Sequence, residues 1–246
     1  MGRGDCENDS DGAVLAGRPL FFKGRVCAPA TKGDGMIKAV LFDMDGVLVD
    51  TEWFYNRRRC AYLETKGFVF DEIPDLSGTN DIYVWEYFEP DDAQRRAELK
   101  REYVEVYMKE HPVPYDELKN PDAKPVMEAL RERGVASAIA SSGEKHIIEE
   151  LVEAADLRDC LAATVSGHEV SAFKPDPAVY LRTMEILGVS PEECLVVEDS
   201  PLGIEAGLRA GCRTLALRPH EGVSLDQSKA HRIIDSLWDL LDEVAA

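Results

Sequence analysis

Asp43 and Asp45 come directly after the apolar run AVLF, residues 39–42, and their side chains are of the type that holds a cation. On an extended chain, carboxylates two residues apart project to the same side, where their negative charges repel each other. A metal ion or an ammonium group must therefore offset them. Further polar side chains follow later apolar runs: Ser141 and Ser142, and then Glu198 with Asp199. Lys174 lies between them, in the loop SAFKPDP.

Together these side chains supply the groups that a phosphate ester and a hard cation require. Carboxylates without histidine or thiolate favour Mg²⁺, which needs only one or two of them besides phosphate and water. Lysine and serine add positive charge and a hydrogen-bond donor for phosphoryl oxygens. Pro175 favours extended backbone at Lys174 and so aims that side chain. Each feature alone is typical of a solvated turn, a surface lysine or a helix cap. Their order along the chain indicates one site.

The segments between these groups alternate between strands and helices. Such alternation predicts an α/β fold, a doubly wound parallel sheet with right-handed crossovers, whose ligands bind beyond the carboxyl ends of the strands. We expect strands at 37–42, 135–140, 162–166, 194–198, 213–217 and 232–235. Helices are expected at 51–67, 80–88, 91–111, 122–133 and 144–155, and another should begin with Asp176 as N-cap and Pro177 as first residue. Ser200 and Pro201 should open one more, and the last helix should turn Leu237, Leu241 and Val244 inward.

The spacing of these elements divides the chain into three predicted parts. Residues 36–50 and 125–246 should form a Rossmann-like core, and the mostly helical residues 51–124 should form a small domain inserted into it. Residues 1–35 are rich in glycine and have only short apolar pieces, so we expect a loosely ordered extension. Met36 directly precedes the first strand, and we expect it to be the natural start of translation.

The strongly negative net charge disfavours several kinds of partner. With 28 basic and 47 acidic residues, the formal net charge is −19, which disfavours nucleic acid and anionic membranes as partners. It also repels anionic substrates at long range, so a phosphate site must carry its own local positive charge. Six scattered cysteines, without metal-type spacing, are typical of reduced thiols in a cytoplasmic protein. Nothing in the sequence requires more than a monomer.

Four segments of the chain resemble the ordered motifs of a known superfamily. DMDGVLVDT, ASS, KPDP and VVEDSPLGIEAGLRAG are similar to the motifs of the haloacid dehalogenase superfamily of phosphohydrolases, across residues 36–220. The position of the helical insert resembles subfamily I, whose members include β-phosphoglucomutase-like proteins with a small α-helical cap. This resemblance implies that Asp43 is the nucleophile and forms an aspartyl phosphate. It implies that Asp45 is the general acid and base, while Ser141 and Lys174 hold the phosphoryl group.

The same resemblance implies a Mg²⁺ site. Asp199 would bind the ion together with the Asp43 carboxylate and the backbone carbonyl of Asp45, and Glu198 would be a direct or indirect partner. Asp45 needs a proton at neutral pH, so we expect its pKa to be raised by Asp43 and by partial burial.

Several other residues are predicted to contact the substrate. Gly46 would let the backbone approach the ligand closely, and Ser142, Tyr55 and Asn80 are the remaining candidates. Tyr83 and Trp85 could also face the substrate. The alternative is that Trp53, Tyr83 and Trp85 simply pack the interior of the cap.

The favoured reaction is Mg²⁺-dependent hydrolysis of a phosphomonoester on a small phosphorylated metabolite. Within the superfamily, dehalogenases lack the second aspartate, and the phosphonate-cleaving branch needs a cap lysine that we do not find. Hexose-phosphate mutases have a histidine where this chain has Tyr55 and a basic residue within the segment matching 78–81, so a mutase is the alternative. A receiver domain would place its aspartate on a middle strand within roughly 120 residues. A non-catalytic phosphate-binding protein also stays open, as does the substrate: sugar phosphate, glycolate-type acid, nucleotide or polyol phosphate.

Overall fold

The computed structural model describes residues 36–74, 76, 81–219 and 223–244, and the side chains at positions 81 and 82 are not described. The predicted extension at 1–35 and the candidate Asn80 lie outside the described residues. Within the described part, no helix combines the length and the apolar character that a membrane span requires.

Six parallel strands form one sheet, in the order β3-β2-β1-β4-β5-β6. The chain adds β2 and β3 on one side of β1 and then returns to add β4, β5 and β6 on the other. The strand order therefore reverses between β1 and β4, which is where ligands bind in open α/β sheets. This confirms the predicted fold class. The strands are β1 Ala39–Phe42, β2 Ala136–Ser141, β3 Leu161–Ser166, β4 Cys194–Glu198, β5 Arg213–Leu217 and β6 Arg232–Ile234.

Helices cover both faces of this sheet, and successive residues of β1 pack on opposite faces. Val40 and Phe42 lie in the larger apolar cluster, with side chains from α6 and α7. Ala39 and Leu41 lie in the second cluster, with side chains from α8 and α9. All four residues of β1 are buried, as expected for a central parallel strand. The helices are α1 Glu52–Glu64, α2 Asp81–Phe88, α3 Ala93–Glu102, α4 Met108–Glu110, α5 Tyr115–Leu118, α6 Ala123–Glu132, α7 Lys145–Ala154, α8 Ala178–Leu187 and α9 Pro201–Arg209.

A third apolar cluster lies within the helical insert, separate from the two on the sheet. It is built from α1, α2, α3 and the π-helical turn Tyr103–Tyr107, which joins α3 to α4. Trp85 and Tyr62 are buried there, with the Trp85 and Tyr103 rings edge to face at 5.4 Å between centroids. Tyr115 of α5 instead packs with the sheet residues. The predicted limits of the cap domain, 51 and 124, stay a prediction.

Two predicted helices differ from those in the structure. The helix expected to begin at Pro177 begins at Ala178, and Asp176 Oδ1 accepts from the Ala178 backbone N–H at 3.0 Å, so Pro177 occupies the N-cap position. The last helix is a 3₁₀-helix, Leu237–Glu243. Its three-residue repeat places Leu237 and Leu240 on one side, so Leu240 is fully buried while Leu241 is only partly buried.

Candidate active site

Asp43 and Lys174 meet at the carboxyl end of β1. The Lys174 ammonium lies 2.5 Å from Asp43 Oδ1, 2.6 Å from Glu198 Oε1 and 3.1 Å from the Ala140 carbonyl oxygen. These three acceptors match the three donors of an ammonium group. Only 6% of the Lys174 side chain is exposed, so the pairing lies in a weakly screened environment. Part of the repulsion between the carboxylates is therefore offset by Lys174, as the sequence indicated.

Glu198 is completely buried at the end of β4, and protein groups hold both of its carboxylate oxygens. Oε1 accepts from Lys174 and, at 2.7 Å, from the Tyr180 hydroxyl. Oε2 accepts from the backbone N–H of Asp199 at 3.1 Å and from the Ser200 hydroxyl at 3.1 Å. A Cβ atom at Gly203 would lie 1.7 Å from Oε1, so the carboxylate occupies space that only glycine leaves free.

Asp45 is bound by two hydroxyl groups from the start of the helical insert. Thr51 donates its hydroxyl to Asp45 Oδ1, and the Tyr55 hydroxyl donates to the same oxygen at 3.4 Å. Thr51 is the N-cap residue of α1, yet its side chain makes no capping bond. The hydroxyl donates to Asp45 instead, and this hydrogen bond connects the start of α1 directly to the carboxylate.

Asp199 lies against the backbone of Gly46. Gly46 has φ +74°, and a Cβ atom there would lie 2.0 Å from Asp199 Oδ2. Glycine is therefore required both by the backbone conformation and by the contact. Gln227 donates through Nε2 to the Asp199 and Leu217 carbonyl oxygens, each at 2.7 Å, which links the loops that follow β4 and β5.

The two serines after β2 differ in their surroundings. Ser141 is buried, and its Oγ accepts from the Gly143 backbone N–H at 3.0 Å. Since Oγ is the acceptor in that bond, the hydroxyl hydrogen can be donated to a ligand oxygen. Ser142 is exposed. The structure therefore brings Ser141 into a constrained position at the strand end, while Ser142 faces solvent.

Burial of the carboxylates has a clear effect on their proton affinity. Burial and the charge of Glu198 raise the pKa of Asp43 to about 7, although Lys174 acts in the opposite direction. The pKa of Asp199 is raised well above its usual range by burial, then by Glu198 and Asp43. Burial also disfavours the charged form of Lys174, but Asp43 and Glu198 outweigh it and raise its pKa.

The predicted rise in the pKa of Asp45 is confirmed, and one of its two expected causes is confirmed with it. Burial is the main cause, and the hydrogen bonds from Thr51 and Tyr55 oppose it. Asp43, the other expected cause, is not among the main contributors to this pKa.

Three acidic side chains could together hold a metal ion. Asp43, Glu198 and Asp199 each offer an oxygen, and these oxygens lie within 4.8 Å of one another. A set made only of carboxylate oxygens fits Mg²⁺ or another hard cation. Glu198 already accepts five hydrogen bonds, two of them from the backbone N–H and the hydroxyl of Ser200 and the others from Lys174, Tyr180 and the Asp199 backbone N–H. Asp43 and Asp199 therefore have more capacity for the ion. A cleft of about 490 Å³ is lined by Gly46, Glu52 and Asp199 among others, so it borders the Asp199 side of this cluster.

The aromatic candidates of the helical insert divide into two groups. Trp85 is buried in the third apolar cluster, as the packing alternative predicted, whereas Trp53 and Tyr83 are each half exposed and do not pack that interior. Tyr55 contacts Asp45.

Thr51, Tyr180 and Gly203 contribute to the site, although the sequence did not single them out for it. Tyr180 lies in the helix predicted to follow Pro177, and no local signal connects its hydroxyl with Glu198. Thr51 had a weak signal, since it is the last residue of the motif DMDGVLVDT. Gly203 lies in the fourth motif, but its contact with Glu198 depends on the packing of α9.

Comparison with known proteins agrees with this geometry. The family model described as haloacid dehalogenase-like hydrolase matches residues 37–211. The chain is 30% identical over 206 residues to the phosphorylated carbohydrates phosphatase of Thermotoga maritima, covering 79% of this chain and 89% of that protein. It is 30% identical over 201 residues to the protein SUPPRESSOR OF QUENCHING 1, chloroplastic, of Arabidopsis thaliana, covering 77% of this chain but only 18% of that protein.

A solved structure of a related protein has the same fold. The crystal structure of a HAD family hydrolase from Deinococcus radiodurans, with bound phosphate and sodium, superposes with a TM-score of 0.66. It is 28% identical in sequence, and the match covers 84% of this chain and 94% of that one.

This protein therefore belongs to the haloacid dehalogenase-like hydrolases, as its four motifs led us to expect. Its curated relatives of similar length include proteins named as phosphatases, which confirms the expected enzyme class, a phosphatase of this family.

Proposed function

We propose that this protein hydrolyses the phosphomonoester of a small phosphorylated metabolite, with Mg²⁺ as cofactor and an aspartyl phosphate at Asp43 as intermediate. One observation carries the proposal: two neighbouring carboxylates have different partners. Asp43 pairs with the Lys174 ammonium, while Asp45 accepts from two neutral hydroxyls. Groups held in such different environments can serve as an ionised nucleophile and a protonated acid at the same pH.

In this mechanism the chain's own residues make and break the bonds. An Asp43 oxygen attacks phosphorus, and the bond from phosphorus to the leaving oxygen breaks while Asp45 gives that oxygen its proton. Asp45 then takes a proton from a water molecule, whose oxygen attacks phosphorus and releases Asp43. The proton returns Asp45 to its starting state. Lys174 and the Ser141 hydroxyl would stabilise the phosphoryl oxygens through both steps.

The acidic cluster is the place where Mg²⁺ would bind. Asp43 and Asp199 would hold it through side-chain oxygens and Asp45 through its backbone carbonyl, with Glu198 fixing Lys174 and the start of α9. Bound there, the ion would neutralise charge on the phosphoryl oxygens. The raised pKa values of Asp43 and Asp199 support this proposal, because burial first and neighbouring carboxylates second disfavour their ionised forms, and a bound cation would offset both effects.

A carbohydrate-type phosphate is the substrate class that we propose. The support is the name of the Thermotoga maritima relative, a phosphorylated carbohydrates phosphatase, whose length this chain largely covers. The positions predicted for the substrate, Gly46, Tyr55 and Ser142, remain predictions, as do a monomeric state and a cytoplasmic location.

The test is release of phosphate from p-nitrophenyl phosphate with and without Mg²⁺. We expect activity that chelation abolishes, and a loss of at least about 10³-fold in kcat for Asp43→Asn, because the nucleophile is removed. Asp116→Asn, which changes the same charge at a side chain that is 81% exposed, is the matched control and should retain activity. Equal activity of the wild type and Asp43→Asn would contradict the mechanism.

A further inference from the structure

Arg59 of α1 is a half-buried cation without an acidic partner among the described residues. Its Nε atom is buried and has no hydrogen-bond partner. Nη1 lies 3.5 Å from Asn56 Oδ1, at the limit of a hydrogen bond.

The two arginines that precede Arg59 have surroundings that differ from those of Arg59. Arg58 is buried, and its guanidinium donates to the Tyr103 hydroxyl at 3.0 Å and to the His111 carbonyl oxygen at 2.9 Å. Arg57 is exposed and stacks on the Trp53 ring, with Cζ 4.4 Å from the ring centroid. Among these three arginines, Arg59 is therefore the one whose guanidinium is partly buried but lacks hydrogen bonds as short as those of Arg58.

Arg59 lies one helical turn beyond Tyr55, on the same face of α1. Its guanidinium carbon is 5.8 Å from the centroid of the Tyr55 ring, and the hydroxyl of that ring donates to Asp45. The Tyr55 side chain therefore contacts both the guanidinium and the carboxylate proposed as general acid.

Desolvating a guanidinium without a partner is unfavourable, and an anion that arrives with a ligand would remove the penalty. The phosphoryl group at Asp43 is not that anion, because Lys174 already serves that position. The planar fork of an arginine matches a carboxylate or a phosphate through two parallel hydrogen bonds.

We infer that Arg59 binds a second anionic group of the substrate, a carboxylate or a second phosphate, at the end remote from the hydrolysed ester. This inference rests on the proposed function and adds a specificity residue to it. Among carbohydrate-type phosphates, the favoured substrates are then bisphosphates and the phosphates of sugar acids rather than monophosphates of neutral sugars.

Two matched pairs of substrates test the inference. We would measure kcat/KM for 3-phosphoglycerate against glycerol 3-phosphate, and for fructose 1,6-bisphosphate against fructose 1-phosphate. The wild type should prefer the dianionic member of at least one pair, and the pair that responds distinguishes a carboxylate from a phosphate. Arg59→Gln should reduce that preference by about 10- to 100-fold, since a charged hydrogen-bonded contact is lost. Arg59→Lys keeps the charge without the fork and should fall between the two.

Arg57→Gln is the matched control, because it removes the same charge from an exposed position on the same helix. It should leave both preference ratios within a factor of two. The inference is overturned if the wild type prefers neither dianionic substrate, or if Arg59→Gln lowers both members of each pair equally, as a purely structural role would.

A binding experiment separates this inference from the proposed function. Calorimetric titration of Asp43→Asn, with and without Arg59→Gln, measures the affinity for 3-phosphoglycerate and glycerol 3-phosphate without turnover. If the wild type hydrolyses nothing but Arg59→Gln still removes the preference for 3-phosphoglycerate, the proposed function fails and the anion site stands. If Arg59→Gln does not fold, Arg59→Lys provides the test. A preference ratio equal to that of the wild type would refute the proposed contact through two parallel guanidinium hydrogen bonds.

Discussion

Single atoms decide the geometry at the carboxyl end of β1, and Gly46 shows this most directly. Its backbone conformation excludes an ordinary side chain, and the space that a Cβ atom would occupy is filled by the Asp199 carboxylate. The effect of the backbone conformation at Gly46 can be separated from the effect of the contact by comparison with Gly134. Gly134 has the same φ of +74°, but a Cβ atom added there would have no neighbour within 4 Å.

We predict that Gly46→Ala weakens Mg²⁺ binding by at least about 10-fold, since Asp199 must move away from the new methyl group. Gly134→Ala should suffer only the backbone strain, about 1 kcal/mol, with unchanged metal affinity. Calorimetric Mg²⁺ titration and urea unfolding of both variants would measure the two effects. Equal losses of metal affinity in the two variants would show that the contact with Asp199 is irrelevant.

At the residue scale, the site residues that lie within sequence motifs could be predicted. Residues that reach the site only through the packing of the folded chain could not. Asp43 and Glu198 end apolar runs, so their position at strand ends was predictable, and Pro175 marked Lys174 in its loop. The structure brings both carboxylates within hydrogen-bond distance of Lys174. The Tyr180 hydroxyl reaches Glu198 from the neighbouring α8, and that contact depends on how the helix packs. Local spacing contains no information about it.

At the scale of secondary structure, all six expected strands are present, because apolar runs bounded by polar residues and glycine mark parallel strands. Departures from regular α-helix were not predictable. The π-helical turn at Tyr103–Tyr107 and the 3₁₀-helix at Leu237–Glu243 are set by packing against neighbours, which overrides local preference.

The start of α9 gives a prediction at this scale. Replacing glycine by alanine within a helix ordinarily stabilises a protein by about 1 kcal/mol. For Gly203→Ala we expect the opposite sign, a loss of about 2 kcal/mol, because the new methyl group would overlap the buried Glu198 carboxylate. Urea unfolding measures this free energy. Stabilisation of the ordinary size would mean that Glu198 moves without cost and does not fix the end of β4.

At the scale of the whole molecule, charge opposes the proposed reaction. A net charge of −19 repels a phosphorylated substrate at a distance, whereas the Lys174 ammonium at the site acts locally.

We therefore predict that kcat/KM for an anionic substrate rises severalfold between about 10 and 150 mM KCl at constant free Mg²⁺, because salt shortens the range of the repulsion. The value of kcat, which reports steps after binding, should stay constant. Steady-state kinetics over a salt series would measure both. A decrease of kcat/KM with salt would show that the local cations dominate the field that the substrate meets.

The position of β1 also matters for synthesis on the ribosome. This strand pairs with β2 on one side and with β4 on the other, and β4 begins at Cys194. At about 5 to 20 residues per second, β4 emerges roughly 10 to 30 s after β1. During that interval a wholly apolar strand has one edge without its partner, so the nascent chain needs protection there. Lys174 and Asp199 are likewise translated late, and the enzyme acquires its catalytic groups only when most of the polypeptide has been made.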